Sequence, residues 1–560
     1  MYKNIVSKNL GFVKILGYYP YKTFPGMLWQ KNYIPPLSLL QCPCMPTFLL
    51  GKRTIAERIE TALRKTGAVG MTVQILAETV SRLPANPAYA GKSPRLLLVG
   101  GFVRDALMGI PSKDMDAEVY GVSPERLEKL LEEEFPHRVN KVGKSFGVYK
   151  VSLRSGETFD ISFPRRESKS GRGHRGFRVE GDPSMSIEDA ARRRDFTFNA
   201  MAADPLTGDL ADPFGGLRDL AHQRLRMTDA ERFPDDPLRV YRALQFAARF
   251  DLMTETDTRE TMREMVARGD MNELPKERIT GEMEKLLLAK KQSVGWELAK
   301  ELGLIQRYYP ELHALIGAPQ DPEWHPEGDV WTHTIMTLDE AAGLLREQGK
   351  ELTRNERLQV MLGSLCHDLG KPQTTRVMDG RIRAPGHAEA GAEEAKYLLS
   401  RWTFPEDAKH AAVVITKEHL APRELFWARE RGDLDDANYA NAVRRLIKRI
   451  APVSWRVLVL AAEADHRGRA VPGIESAPYA AGQAMTQVIL RHGFHREPAQ
   501  PLLLGRDLLA LGLEPSPRFS ELLRTVEDER DLGRICSKEE AITFVRNLLH
   551  RKKDKPKARP

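Results

Sequence analysis

The stretch Val99-Gly-Gly-Phe-Val-Arg-Asp-Ala-Leu-Met-Gly109, followed by Lys113-Asp-Met-Asp-Ala-Glu118, decides how the chain is read. Before it, helical spacing of apolar residues from Ile55 to about Leu83 is broken by Pro84, Asn86 and Pro87, and the run Arg95-Leu-Leu-Leu-Val99 reads as a buried strand. Gly100 and Gly101 end that strand. Without side chains they let the backbone turn tightly and bring bare N–H groups close to an anion such as a phosphate. Arg104, one turn into the following helix, is placed to clamp phosphate oxygens with two parallel bonds. On an extended strand, side chains alternate between faces, so Asp114 and Asp116 project together while Met115 and Ala117 point into the sheet. Two such carboxylates repel unless cations lie between them, and a hard ion such as Mg²⁺ takes oxygen ligands and bridges to phosphates. Met115 to Tyr120 and Gly147 to Phe163 read as further strands, the second a hairpin turning at Ser155-Gly156. There Asp160, in Thr158-Phe-Asp-Ile-Ser162, offers a third carboxylate. A lone D-x-D is common on solvated strand ends; the adjoining G-G-x-x-R-D is what favours the phosphate and metal reading.

The chain has 560 residues, of which 41% are hydrophobic and 29% charged, enough apolar material for about three or four domains. No apolar run approaches the ~18 residues that cross a bilayer, which excludes a membrane-spanning protein. Lys and Arg number 85 against 77 Asp and Glu, a net charge of +8 that suits a polyanionic partner or simply a solvated basic surface. Four cysteines make no disulfide scaffold, and Cys42 and Cys44 lack zinc-ligand spacing, so a reducing, cytoplasmic setting is expected. Cys366 reads as a buried thiol. Residues 1–50 contain no Asp or Glu, are rich in aromatics and form an extension of unknown role.

Five motifs occur in one order: GGFVRD, KDMD, RRRDFTFNAM (Arg192 to Met201), DPFGGLRDL (Asp212 to Leu220) and DDPLRVYRALQFAARF (Asp235 to Phe250). In order and spacing they resemble the class II branch of the bacterial tRNA nucleotidyltransferase and poly(A) polymerase family, over about Arg95 to Leu288. The resemblance implies an α/β polymerase-β-like nucleotidyltransferase head followed by a long all-α body. It also implies nucleotide addition to an RNA 3′ end without a nucleic-acid template, with tRNA, CTP and ATP as partners and Mg²⁺ as cofactor. Asp114, Asp116 and Asp160 are then the expected catalytic carboxylates. Gly100, Gly101, Arg104, Arg194, Asp195, Asn199, Asp236, Arg239 and Arg242 are the expected nucleotide-binding residues.

Asp236, Arg239 and Arg242 fall at helical spacing, with Ala243, Phe246, Ala247 and Phe250 as the apolar stripe. Such spacing usually marks an exposed acid and base pair. A chemical logic points further, because cytosine and adenine share an NH₂ donor beside a ring-nitrogen acceptor, whereas uracil and guanine present the opposite order. A carboxylate accepting from NH₂ next to a guanidinium donating to the ring nitrogen admits C and A and rejects U and G. The resemblance assigns this role to Asp236 and Arg239, and nucleotide contacts to Arg194 and Arg242. The family usually has Glu-Asp where this chain has Asp235-Asp236. The segment Pro164 to Arg178, with six Arg or Lys among glycines and serines, reads as a flexible solvated loop that closes over the triphosphate or primer end.

Downstream stand His333 in VWTHT, His367-Asp368 in LCHDLGK, His387 in APGHAEAG, His419 in KEHL and Asp465 in AEADHRGR. This pattern resembles the HD phosphohydrolase superfamily, whose imidazole and carboxylate ligands suit Mn, Ni or Fe and activate water against a phosphoester. His387 and His419 either extend the site to two metals or merely pack nearby. The expected organisation is an N-terminal extension (1–50), a helical segment (51–93), the head (94–228), a neck for base recognition and RNA binding (229–318), an HD domain (319–470), and a C-terminal helical region with a basic tail (471–560). CCA addition to tRNA with an appended phosphohydrolase is the leading expectation. A poly(A) polymerase, an A-only or CC-only enzyme, or a catalytically silent RNA-binding protein are the alternatives.

Overall fold

The computed structural model describes residues 52–89, 92–112, 114–142, 147–169, 177–474, 477–494, 501–531 and 534–553. The N-terminal extension, the tip of the basic segment at 170–176 and the last residues of the basic tail lie outside them. Two helices, Lys52–Lys65 and Ala68–Ser81, replace the single helical run expected there and are separated by Thr66 and Gly67. They bury Ile55, Ile59, Leu63, Val73 and Leu76 against the head.

The head contains β1 (Arg95–Val99), β2 (Asp116–Tyr120), β3 (Val139–Val142), β4 (Val148–Ser152), β5 (Thr158–Ser162), β6 (Arg165–Lys169), β7 (Phe177–Gly181), β8 (Ala202–Ala203) and β9 (Leu210–Ala211). Seven of these form one mixed sheet in the order β3-β4-β5-β2-β1-β8-β9, in which β2 and β5 are parallel. After the exposed Arg95, β1 is apolar because both of its faces are covered. Leu96 and Leu98 enter the main core, whereas Leu97 and Val99 meet Met185, Ala190 and Ala202 on the other face. β6 and β7 pair from Arg165↔Gly181 to Lys169↔Phe177, so the basic segment expected as a loop has ladder-bonded flanks. An ion pair of Arg166 with Asp182 at 2.8 Å secures their base.

The neck and the HD region share one continuous core with the head. Phe196, Phe198, Phe233, Phe246 and Phe250 form a ring cluster joining the head to the helix Leu238–Phe250. Helices Val330–Glu347, Arg354–Cys366, His387–Leu399, Glu406–Glu418 and Trp455–Arg467 pack together in the HD region. Residues after Leu502 have their own small core around Leu508, Leu522, Val526 and Val545. The body is not wholly helical, since Arg376–Met378 and Arg381–Arg383 form a hairpin. Asp379 and Gly380 both take positive φ there, 51° and 74°, as a two-residue hairpin turn requires; the Asp-Gly pair is the signal that helical periodicity obscured.

Candidate functional site

At the head, register brings two of the three carboxylates together. Asp116 pairs directly with Asp160 across the parallel ladder, and the Asp160 N–H donates to the Met115 carbonyl at 3.0 Å. Directly paired residues share a face, while Met115 and Ala117 are buried on the opposite one. Asp114 lies exposed just before β2. Asp116 opens to solvent at the strand end, yet the surrounding protein displaces much of its water. That desolvation raises its carboxyl above the usual aspartate value; Asp160, Asp114 and Glu118 add to the rise and Arg194 opposes it. Asp116 and Asp160 on one face, with Asp114 near enough to act on the charge of Asp116, are oxygen donors of the kind Mg²⁺ takes.

Glu118, two residues on and on the same face, has a different task. Its carboxylate is only 2% exposed and accepts from Arg193 Nη2 at 2.7 Å, Arg194 Nη2 at 2.9 Å and the Tyr120 hydroxyl at 2.9 Å. Burial by itself would raise the Glu118 carboxyl, but Arg194, Arg193 and Tyr120 outweigh it and hold it below the usual glutamate value. The sequence pattern carried a signal for this residue, its even spacing from Asp114 and Asp116, which the expected site did not use. Glu118 aims Arg194 across the glycine turn. A Cβ on Gly100 would lie 2.7 Å from Arg194 Nη1 and push the guanidinium aside, and with φ 68° any side chain there would strain the backbone.

Several expected nucleotide ligands are held more tightly than an open phosphate clamp would be. Arg104 is buried, donates to Asn199 Oδ1 at 2.6 Å and to Asp105 Oδ1 at 2.8 Å, and lies over Phe246 and Phe250. In this arrangement it ties the helix Gly101–Met108 to the turn Thr197–Asn199. Asp195 accepts from Asn199 Nδ2 at 3.0 Å and from Arg242 Nε at 2.7 Å. Its burial would raise the carboxyl, but Arg242 and these hydrogen bonds bring it below the usual range. Asp195, Asn199 and Arg242 thus form one network beneath Gly100 and Gly101. The DPFGGL motif is structural: Asp212 accepts from the Gly216 and Leu217 N–H groups at 2.6 and 3.0 Å, and Gly216 packs against the Thr197 carbonyl.

Asp236 is not on the helix that its spacing predicts. The helix begins at Leu238, and Asp236, preceding Pro237, is forced into extended backbone with φ −117° and ψ 101°. Its Oδ2 accepts from Arg278 Nη2 at 3.1 Å and its Oδ1 from the Leu238 N–H at 3.1 Å. Arg239 is buried over Phe233 and donates to the carbonyls of Arg232, at 2.7 Å, and Arg193. The partner of Asp236 is therefore Arg278, which no local pattern announced.

In the HD region six predicted residues from five chain segments converge. His333 Nε2 lies 3.0 Å from Asp465 Oδ1 and 3.8 Å from Asp368 Oδ2; His367 Nε2 lies 3.2 Å from Asp368 Oδ2; His387 Nε2 lies 3.5 Å from Asp368 Oδ1. The His419 ring stands 5.3 Å from that of His367 and 5.5 Å from that of His387. His367, His387 and His419 each place Nδ1 against a backbone carbonyl, of Ser364, Ala384 and Thr416, at 2.7 to 2.8 Å. A proton on Nδ1 leaves each Nε2 as a lone pair. Nε2 of His367 and of His387 are buried without a hydrogen-bond partner. Burial and His367 depress His419 to about 3, so it is a neutral donor. Burial would raise Asp368, but His367 and Lys371 hold it well below the usual value. Among the described residues three triads could hold an ion: Asp368 belongs to two, with His333 and His367 and with His387 and His419, and His325, Glu327 and His333 form the third.

Two further residues serve this cluster. Glu327 accepts at 2.8 Å from Nδ1 of both His325 and His333, and its other oxygen takes the Ala470 N–H at 3.1 Å. Lys371 Nζ reaches Asp368 Oδ2 and Gln320 Oε1, each at 2.6 Å. Lys371 stood within the HDLGK stretch, whereas Glu327 had no sequence signal. No helix among the described residues is long and apolar enough to cross a membrane.

The sheet with its carboxylate face, the helical neck and the histidine cluster define a nucleotidyltransferase head joined to an HD-type body. Residues 96–226 match the poly A polymerase head domain, 251–316 the probable RNA and SrmB- binding site of polymerase A, and 330–445 the HD domain. The chain is 36% identical over 434 residues to the multifunctional CCA protein of Xanthomonas campestris pv. campestris, covering 77% of this chain and 96% of that one. It is 36% identical over 397 residues to that of Stenotrophomonas maltophilia, covering 70% and 90%. The chain belongs to the multifunctional CCA protein family. Its fold is shared with the Thermotoga maritima CCA-adding enzyme complexed with tRNA, at TM-score 0.53 and 19% identity over 88% of this chain and 98% of that one. The Bacillus stearothermophilus CCA-adding enzyme in complex with CTP gives TM-score 0.55 and 20% identity over 90% and 100%.

Proposed function

We propose that the protein adds CCA to tRNA 3′ ends from CTP and ATP at the head, and that its HD region is a metal-dependent phosphohydrolase acting on RNA ends or nucleotides. The observation that carries the first part is the register pairing of Asp116 with Asp160 beside the Gly100-Gly101 turn. In each addition the RNA 3′-oxygen bonds to the α-phosphorus of the triphosphate, the bond to the β-phosphate bridge breaks, and pyrophosphate leaves. Asp114, Asp116 and Asp160 would hold Mg²⁺, which supplies a more acidic 3′-hydroxyl and compensates charge on the leaving phosphate. Gly100 and Gly101 leave room for the phosphates, and Arg194, braced by Glu118, presents its positive charge to them. Asp236, steadied by Arg278 and the Leu238 N–H, accepts from the base NH₂, and Arg239 donates to the ring nitrogen, a pattern that selects C and A.

In the HD region His333, His367, Asp368 and Asp465, with His387 and His419 on the other side of Asp368, fit a divalent transition metal such as Mn, Ni or Fe. Such a metal supplies a water of lowered pKa and neutralises charge on a phosphoester. Lys371, beside Asp368, draws the phosphate oxygens toward the cluster. Both activities are tested with tRNA lacking its CCA end, each nucleoside triphosphate alone and in combination, and a 2′,3′-cyclic nucleotide. Asp116→Ala should abolish addition and leave cyclic-phosphate hydrolysis, and His367→Ala/Asp368→Ala should do the reverse. Normal C and A incorporation by Asp116→Ala refutes the head assignment, while products of A alone or of C alone reassign the substrate.

A further inference from the structure

A cavity of about 630 Å³ opens from Asp368, His387, His419 and Asp465 toward solvent, within the usual size of a small-molecule site. Beyond the ligand cluster its wall changes character. Arg423 and Trp427 stand four residues apart on the helix Ala421–Glu430 and both line the cavity, so a cation and an aromatic face project side by side. Trp427 is 51% exposed although it is among the largest apolar side chains. Arg469 lines the same wall and is 7% exposed. Its hydrogen bonds go to the backbone carbonyl and Nδ1 of His466. Among the described residues neither Arg423 nor Arg469 has a carboxylate within ion-pair distance, and Arg423 has no hydrogen bond. The two cations are close enough to act on one another. Burial lowers the Arg469 guanidinium from its usual value, and Arg423 lowers it further against the opposing charge of Asp465.

A cation as buried as Arg469, which the Asp465 and Glu327 carboxylates reach only from beyond ion-pair distance, is costly unless a ligand supplies a closer anion, and the half-buried Arg423 beside it adds to that demand. Lys371 already serves the metal cluster through Asp368, so Arg423 and Arg469 answer to a different negative charge. An aromatic face beside a cation is also how single-stranded nucleic acid is held, the base on the ring and the phosphate on the guanidinium. We infer that Arg423 and Arg469 form a second phosphate subsite, and that the HD cavity takes a nucleotide bearing a phosphate on the 5′ side of its reacting ribose, with Trp427 as a stacking face. This rests on the phosphohydrolase reading and specifies its substrate class. An RNA 3′ end carries that second phosphate necessarily, a free nucleotide only when 5′-phosphorylated.

The test compares three probes with the full-length protein supplied with Mn²⁺ or Ni²⁺: adenosine 2′,3′-cyclic phosphate, its 5′-phosphorylated form, and cytidylyl-(3′→5′)-adenosine 2′,3′-cyclic phosphate. The second phosphate should lower KM about 10-fold, the scale of one charge-assisted contact. Arg423→Ala should bring the KM ratio to about 1 while the melting curve stays unchanged, as expected for a side chain without internal bonds. Equal gains for the last two probes identify the phosphate alone as the recognised group, and a larger gain for the dinucleotide adds the stacked base; either supports the subsite. Equal KM values for all three, or a ratio that survives Arg423→Ala, overturns it. Calorimetric binding of adenosine 3′-phosphate and adenosine 3′,5′-bisphosphate to chelator-treated protein reads the subsite without turnover. Absence of hydrolysis with every probe therefore removes the phosphohydrolase reading, while a lost calorimetric preference removes the subsite.

Discussion

Replacing Glu118 by glutamine removes one negative charge from a group that is nearly inaccessible to water and keeps its shape. In the native head, Oε1 takes Arg193 and Arg194 at 2.7 and 2.9 Å and Oε2 takes the Tyr120 hydroxyl at 2.9 Å. The amide can still face two guanidiniums with its carbonyl and Tyr120 with its NH₂. What is lost is the ionic part of two hydrogen bonds, about 1 kcal/mol each, so Glu118→Gln should destabilise the head by about 2 kcal/mol. Unneutralised guanidinium charge in a site of low exposure pushes the cost toward about 3 kcal/mol. Arg194, no longer fixed across Gly100, should bind the triphosphate less well, lowering kcat/KM for CTP and ATP together by about 10- to 100-fold, since each ~1.4 kcal/mol is a factor of ten. Calorimetric melting and single-nucleotide incorporation kinetics read both effects. The pH dependence carries a sign. Because the folded carboxyl sits below its ordinary value of 4.5, its stabilisation is complete above that pH and fades as pH falls through the folded value. The gap in stability between wild type and Glu118→Gln should therefore narrow below pH 4.5. A variant with unchanged melting and wild-type kcat/KM refutes the role given to Glu118.

Arg239→Ala removes a charged donor from the carbonyls of Arg232 and Arg193 and uncovers Phe233, so it should lower head stability by about 2 to 4 kcal/mol and impair CTP and ATP use alike; wild-type melting of this variant contradicts its structural share. Glu327→Gln weakens the carboxylate that orients His333, and metal affinity at the HD cluster should fall about 10- to 100-fold in a chelator-competition titration. Unchanged affinity would separate Glu327 from the metal site.

Local patterns in the sequence carry whatever depends on neighbouring residues. The Gly-Gly turn after β1, the outward Asp116, the hairpin bearing Asp160 and the apolar stripe of Leu238–Phe250 are all legible because strand and helix periods act over a few positions. The histidine and aspartate ligands were legible as residue types. Their grouping was not, since five chain segments up to 132 residues apart meet at one cluster. Only the tertiary structure decided that Asp116 stands opposite Asp160, that Arg278 holds Asp236, and that Glu327 reaches two imidazoles. It also placed Arg104 and Arg239 among protein acceptors that no local pattern named, because a buried guanidinium gives its donors to whichever acceptors the packed neighbours present. The periods of a chain name the side chains that leave one face together; which groups they meet there is settled by packing between distant segments.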